Sequence, residues 1–403
     1  MRASSNTKRT SAPEFRLAAA CAWLDERNWS RQRETVLTLL DSGIDPIKFY
    51  SLVKRHRIPA LSYRVLSRAT ADAGRELTWL AQLRPGANRS RLQSLKLHAE
   101  WQRIHKLCQS DAIGIRTLKG SVLSVSLYGD AGMRHARDLD LFVKPQNLER
   151  LLDLLRTSGY EIDCGFRPHR RGLTHRIFRL VNYHVTCKSA AGSTIEVHSH
   201  IERPLNSEID TSWTKFAWSP EPCIQAQFDM LYCTLHGSCH GWSRLKWLGD
   251  LRTMVGRMRE NEWQDLIEIA AQLRLQNFLA AAMLLLHWVT DFPLPETALD
   301  LLETSGEAPC HLANQAISWM TIPEAELNRT TMRNTFRRWQ LAWQIDRRLP
   351  FRELGVYWLT KLLFSPTDLL AIELPPALLA LYPVIRPVSS LRRNFAAMVS
   401  KPR

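Results

Sequence analysis

LKGSVLSVSLYGDAGMRHARDLDLFV, residues 118–143, is the stretch on which the reading of this chain turns. Its second half, Asp138-Leu-Asp-Leu-Phe-Val143, has the alternation of a strand. Residues two apart on a strand point to the same face, so Asp138 and Asp140 aim both carboxylates at one point while Leu139 and Leu141 face the other way. Two carboxylates on a rigid strand suit Mg²⁺ or Mn²⁺, hard ions that take oxygen ligands and share their shell with water or phosphate oxygens. Upstream, Gly120-Ser121 opens a predicted helix over Ser121–Tyr128. The free amides and positive end of such a helix are suited to a phosphate.

Working outward, the chain reads as helices, a mixed α/β block, and helices again. Residues 1–12 read as a disordered leader and 13–109 as an all-helical cap, with apolar positions at helical spacing such as Phe49, Leu52 and Val53. Pro46, Pro59 and Pro85 punctuate it. The block 110–205 begins with a short strand before Gly120 and continues with an amphipathic helix over Leu148–Thr157 that stops at Gly159. Tyr160–Cys164 reads as a further strand, and Ile177–Lys188 and Thr194–Ile201 as a hairpin joined by Ser189-Ala-Ala-Gly-Ser193. Residues 206–350 form a helical domain and 351–403 a helical and apolar tail. The fold class is therefore α+β, a small mixed-sheet core embedded between helical flanks.

Composition narrows the partners. Of 403 residues, 45% are hydrophobic and 23% charged, which excludes a wholly disordered chain. The formal net charge is +15, favouring a polyanion: nucleic acid, nucleotide phosphates or an acidic membrane face. The eight cysteines show no CxxC pair, and the polar, basic start has no apolar segment behind it, so a cytoplasmic location is expected. The longest apolar runs, Phe278–Val289 and the interrupted Leu369–Ile385, fall short of the roughly 20 residues that span a bilayer.

The Gly-Ser turn followed by Asp-x-Asp resembles the minimal nucleotidyltransferase superfamily, the polymerase-beta-like group. Within it the chain is most similar to the bacterial family of uncharacterised nucleotidyltransferases, often linked to exopolysaccharide or lasso-peptide gene neighbourhoods. The resemblance is carried by Arg55-His-Arg-Ile-Pro-Ala-Leu61, Leu118-Lys-Gly120, Tyr128, Arg134, Asp138-Leu-Asp140 and Glu196-Val-His198. It continues through His236-Gly-Ser-Cys-His-Gly-Trp-Ser-Arg-Leu-Lys-Trp-Leu-Gly-Asp250 to Leu374-Pro-Pro376. It departs from the superfamily in the sixteen residues between Ser121 and Asp138, a longer gap than usual; Gly129–Arg137 must be a loop that either builds the pocket or occludes it.

The resemblance implies a metal-dependent enzyme that uses an NTP, with Asp138, Asp140 and Glu196 as catalytic metal ligands. Glu196 is the candidate third carboxylate, acting as a ligand or as the base for an attacking hydroxyl; a plain strand edge is the competing reading. His198 reads as an orienter of the ligands and His200 as a surface residue. Lys119, Gly120, Ser121 and Arg134 are the candidate nucleotide-binding residues of the motif, with Arg137 beside them.

If Asp229–Met258 is one helix, steps of about 100° gather His236, His240, Ser243, Trp247 and Asp250 on one face. Three readings stay open there: a zinc set with Cys233 and Cys239, a packing helix, or a nucleotide-facing helix with His236 or His240 at phosphate and Lys246 nearby. Arg167, Arg170, Arg171, Arg176 and Arg179 crowd the hairpin approach, either as a solvated face or as part of the acceptor site. The acceptor, whether protein, peptide, sugar phosphate or RNA, is not legible. Leu369–Arg386 with Trp358, Tyr382, Arg392 and Arg393 either wraps its own domain or makes peripheral membrane contact. The alternatives to an enzyme are a non-catalytic nucleotide-binding scaffold and a peripheral membrane assembly protein.

Overall fold

The computed structural model describes residues 12–162, 184–202, 207–327, 374–385 and, between 340 and 363, only residues 340, 344, 351, 354, 355, 358, 359 and 363. The arginine cluster at 167–179 and most of the tail lie outside the described residues. Those described fall in two compact units, the first within Met1–Gln102, Thr117–Leu139 and Lys215–Ile345, the second within Arg103–Arg116, Asp140–Thr214 and Asp346–Arg403.

The first unit is helical. Its N-terminal part comprises α1 (Pro13–Ala20), α2 (Trp29–Leu40), α3 (Pro46–His56), α4 (Pro59–Asp72) and the long α5 (Arg84–Ser110), whose last turns enter the second unit. Proline starts α3 and α4, where the missing N–H costs nothing. Asp45 caps α3, its carboxylate accepting from the amides of Ile47 at 2.9 Å and Lys48 at 3.2 Å. After α6 (Ser121–Tyr128) the unit resumes with α9 (Pro222–Cys239), α10 (Leu245–Val255), α11 (Glu262–Gln272), α12 (Gln276–Thr290), α13 (Glu296–Thr304) and α14 (Ala308–Thr321). Helix α12 is apolar almost all round and is the centre of this core, packing on α9, α13 and α14.

The second unit holds the sheet. Its strands are β1 (Ile115–Thr117), β2 (Asp138–Val143), β3 (Glu161–Ile162), β4 (His184–Lys188) and β5 (Thr194–His198), in the order β1-β2-β5-β4-β3. Strands β4 and β5 form an antiparallel hairpin that pairs Thr186 with Glu196 and His184 with His198. Helix α7 (Leu148–Thr157) packs on β3 and buries Leu148, Leu151, Leu152 and Leu155, the i, i+3, i+4, i+7 stripe of the sequence. Helix α8 (Ser207–Ala217) begins in this unit. His200, expected as a surface residue, instead anchors it through a 2.8 Å contact from Nδ1 to Asp210, and Trp213 donates to Glu202 at 2.7 Å.

One expected element is corrected. Asp229–Met258 is not one helix: α9 ends at Cys239 and α10 starts at Leu245. Gly241 and Trp242 both take positive φ, 57° and 49°, which no helix continues through. The Trp242 N–H turns back to the Gly237 carbonyl at 2.8 Å, and its ring covers Gly237 so closely that a Cβ there would lie 2.7 Å from it. The restart is set by the Arg55-His-Arg motif on α3. His56 Nδ1 accepts from the first amide of α10 at 3.1 Å, and Arg55 donates to the carbonyls of Ser243, Trp319 and Ile322 at 2.7, 3.1 and 3.1 Å.

Candidate active site

In the second unit Asp140, Glu196 and His198 converge, with ligand atoms that all lie within 4.8 Å of one another. His198 Nε2 lies 3.4 Å from Asp140 Oδ1 and 3.7 Å from Glu196 Oε2. The Asp140 side chain is 1% exposed and that of Glu196 29%, so one carboxylate is fixed in the core and the other reaches toward solvent. Two carboxylates this close repel one another, and a cation between them would relieve the repulsion. The nearby His198 ring holds the Glu196 carboxyl below its ordinary range against the opposing effects of burial and Asp140. Burial disfavours the imidazolium of His198, but the neighbouring carboxylates of Asp140 and Glu196 outweigh this and raise its pKa. His198 lies between the two carboxylates, and Asp140 and Glu196 offer two oxygen ligands suited to a hard divalent cation. Among the described residues this is the one cluster with metal-ligand spacing; Cys233, His236, Cys239 and His240 do not make another. Asp138 lies outside the trio, two residues earlier on β2.

The first unit carries the phosphate candidates. Gly120 precedes α6 at φ 90° and ψ −142°, a backbone that L side chains rarely adopt, which explains glycine at this turn. Ser121 is buried and its Oγ lies 3.3 Å from His98 Nδ1 of α5. Lys119 and Lys246 are half-buried and belong to a cluster with Arg57, Arg137 and Arg244, all cationic neighbours of His135 or His240. Burial, then Lys119, Lys246, Arg244 and Arg57, hold the His240 pKa down to about 4. Burial, then Lys246, Arg57, Arg137 and Arg134, hold that of His135 down to about 3. Burial followed by Arg134, Lys119 and Arg57 depresses the Lys246 ammonium well below its ordinary value. Such mutual repulsion is relieved by an anion.

His236, His240 and Trp247 do meet, although the helix that was to align them is broken. The His240 ring stacks on Trp247 at 5.0 Å, and the two histidine rings lie 4.6 Å apart. His236 is kept neutral by burial, then by Lys119 and His240, so it sits beside the basic cluster as a neutral partner.

Arg134 is placed differently from the sequence expectation. Its Nε binds Asp250 Oδ2 at 2.7 Å, with side chains 3% and 2% exposed, and Tyr128 Oη lies 3.5 Å from the other Asp250 oxygen. This guanidinium is a strut that ties the loop before β2 to α10. The loop itself, which the sequence left either building or occluding a pocket, is pinned by buried hydroxyls. Ser124 Oγ accepts from the Arg134 amide at 2.9 Å and donates to the Asp130 carbonyl at 2.6 Å. Ser94 Oγ donates to the Arg134 carbonyl at 2.8 Å and accepts from the Ala136 amide at 3.2 Å. Lys246 Nζ reaches the His135 carbonyl at 3.3 Å.

Arg57, Arg244 and His135 join the site only in the fold, which gathers them around Lys119 and Lys246. Arg57 and Arg244 were legible only as members of the Arg55-His-Arg57 and Ser243-Arg-Leu-Lys246 motifs.

A small mixed sheet that presents two carboxylates, preceded in the chain by a glycine-serine helix start, is the arrangement expected of the nucleotidyltransferase class. The sequence model of the family described as uncharacterised nucleotidyltransferase matches residues 42–291, more than half of the chain, and the chain belongs to that family. With membership goes a nucleotidyltransferase role in the general sense, with an NTP as substrate. The match takes in every motif from Arg55 to Asp250 and leaves Leu374-Pro-Pro376 outside it. No curated protein and no solved structure matches the chain.

Proposed function

We propose that the chain transfers a nucleoside monophosphate from an NTP to a hydroxyl or phosphate acceptor, with Mg²⁺ or Mn²⁺ as cofactor. The observation that carries this reading is the convergence of Asp140, Glu196 and His198. Asp140 and Glu196 would hold the cation, joined by Asp138, which strand alternation turns to the same side of β2 as Asp140. When bound, the cation would supply charge neutralisation on the phosphates and a more acidic nucleophile.

This chain's own residues supply the rest. Lys119 and the amides after Gly120 would bind the triphosphate, with Lys246, Arg57 and Arg244 adding positive charge. An acceptor oxygen attacks the α-phosphorus, the bond from that phosphorus to the bridging oxygen breaks, and pyrophosphate leaves with the electron pair. Glu196, partly exposed beside Asp140, would take the acceptor proton. His198 positions both carboxylates and touches no substrate in this scheme.

The test is incubation of the protein with α-labelled NTPs, Mg²⁺ or Mn²⁺ and a cell lysate, followed by identification of the molecule that gains label. A labelled acceptor that disappears with Asp138→Asn and with Asp140→Asn supports the reading. Label that persists in both variants would sink it.

A further inference from the structure

Where α9 ends, in the first unit, three aromatic rings close on one another. His240 follows the last residue of α9, and its imidazole lies nearly flat on the indole of Trp247, with centroids 5.0 Å apart and planes at 18°. His236 meets the imidazole at 60° with centroids 4.6 Å apart, and meets Trp247 edge-on at 5.6 Å. Trp247 is 7% exposed, so the supporting ring is fixed in the core, whereas His240 is exposed. Among the described residues the His240 side chain makes no hydrogen bond, and stacking sets the plane of its ring.

The surroundings of this ring are concave and positive. Solvent reaches His240, yet desolvation by the protein around it, with the cations beside it, holds its pKa down to about 4. A side chain that is accessible but walled in on most sides lies on the floor of a cleft, where ligands sit. Lys119, Lys246, Arg244 and Arg57 are the cations that act on it. At neutral pH the imidazole carries no charge, so it offers a phosphate no countercharge. With Trp247 on one face, what it offers is the other: a flat, immobile aromatic surface bordered by cations. A nucleotide has the matching parts, a flat base joined to a polyanionic chain.

We propose that the outer face of His240, backed by Trp247, is the platform on which the nucleobase of the NTP stacks, and that the donor is a purine nucleotide. This assignment rests on the nucleotidyl-transfer reading, in which Lys119 and its cationic neighbours hold the triphosphate, and adds the residue that meets the base. A purine lays two fused rings on the imidazole and a pyrimidine one, so stacking favours ATP and GTP over CTP and UTP. It does not separate ATP from GTP, because both present the same fused π-face.

The test is calorimetric titration of the full-length protein, with Mg²⁺ present, by inorganic tripolyphosphate and by the α,β-methylene analogues of ATP and CTP, which cannot transfer their nucleotide. The ATP analogue should bind about threefold or more tightly than the CTP analogue. His240→Ala should weaken the ATP analogue by about fivefold or more, bring the two analogues together, and leave tripolyphosphate within about twofold of the parent. His240→Phe keeps an aromatic face without the ring nitrogens and should retain the purine preference, which a histidine bonded to phosphate would lose. His240→Gln carries the loss if His240→Ala does not fold. Equal binding of the two analogues by the parent, an ATP-analogue affinity unmoved in folded His240→Ala or His240→Gln, or a preference lost in folded His240→Phe would overturn the platform and leave the phosphate assignment standing. No binding of any of the three compounds would overturn both.

Discussion

Replacing Asp250 by Asn tests whether Arg134 is a strut. The two side chains are 3% and 2% exposed, and the Nε to Oδ2 distance is 2.7 Å. Burial raises the Asp250 pKa and Arg134 offsets only part of the rise, so the carboxylate depends on its partner. Asp250→Asn keeps the shape but leaves the guanidinium buried near Lys246 with no countercharge. Removing one member of a buried pair costs about 3–5 kcal/mol. Urea unfolding followed by tryptophan fluorescence should show that loss for Asp250→Asn and for Arg134→Met. The double variant Arg134→Met with Asp250→Leu should recover most of it, since a well-packed apolar pair replaces both charges at little cost. If Asp250→Asn stays within about 1 kcal/mol of the parent, the pair is not the strut described and the reasoning fails.

Three further outcomes are expected. A Cβ on Gly249 would lie 1.9 Å from the Ala22 carbonyl oxygen, so Gly249→Ala must part α10 from the chain after α1; a loss of about 2 kcal/mol or more is expected in thermal unfolding. His135, at about 3 when folded against an ordinary value of 6.5, binds fewer protons folded than unfolded, so its contribution is complete above the ordinary value and is lost as pH falls toward the folded one. At about pH 5 this amounts to roughly 1–2 kcal/mol, and stability measured by urea against pH should fall less steeply in His135→Gln. Lys119→Met should raise KM for the NTP by about tenfold or more while leaving the unfolding midpoint near that of the parent, the mark of a phosphate contact and not of a strut.

The parts of the site that were legible in the sequence are those written in local periodicity. The strand Asp138–Val143, the helix Ser121–Tyr128 and the amphipathic helix Leu148–Thr157 follow from alternation, turn chemistry and the helical stripe, and Glu196 follows from the order of carboxylates in the resembled superfamily. What was not legible depends on contacts far apart in the chain. The break after Cys239 is enforced by the Trp242 ring over Gly237 and by His56 at the start of α10, and no local pattern records either. Arg134 reads as a phosphate ligand from its place in the motif. Only the fold brings Asp250 to it and diverts its charge from solvent. The convergence of His198 with Asp140 likewise comes from the pairing of strands, which periodicity within one strand does not give.

The most direct measurement of the central claim sets the parent beside Asp140→Asn and Glu196→Gln, with α-labelled NTP, Mg²⁺ or Mn²⁺ and the labelled acceptor once isolated, following label transfer and pyrophosphate together. The account predicts equal amounts of transferred label and pyrophosphate from the parent, no transfer from Asp140→Asn, and a strongly reduced rate from Glu196→Gln, with all three proteins folded. Transfer by folded Asp140→Asn at the rate of the parent would contradict it.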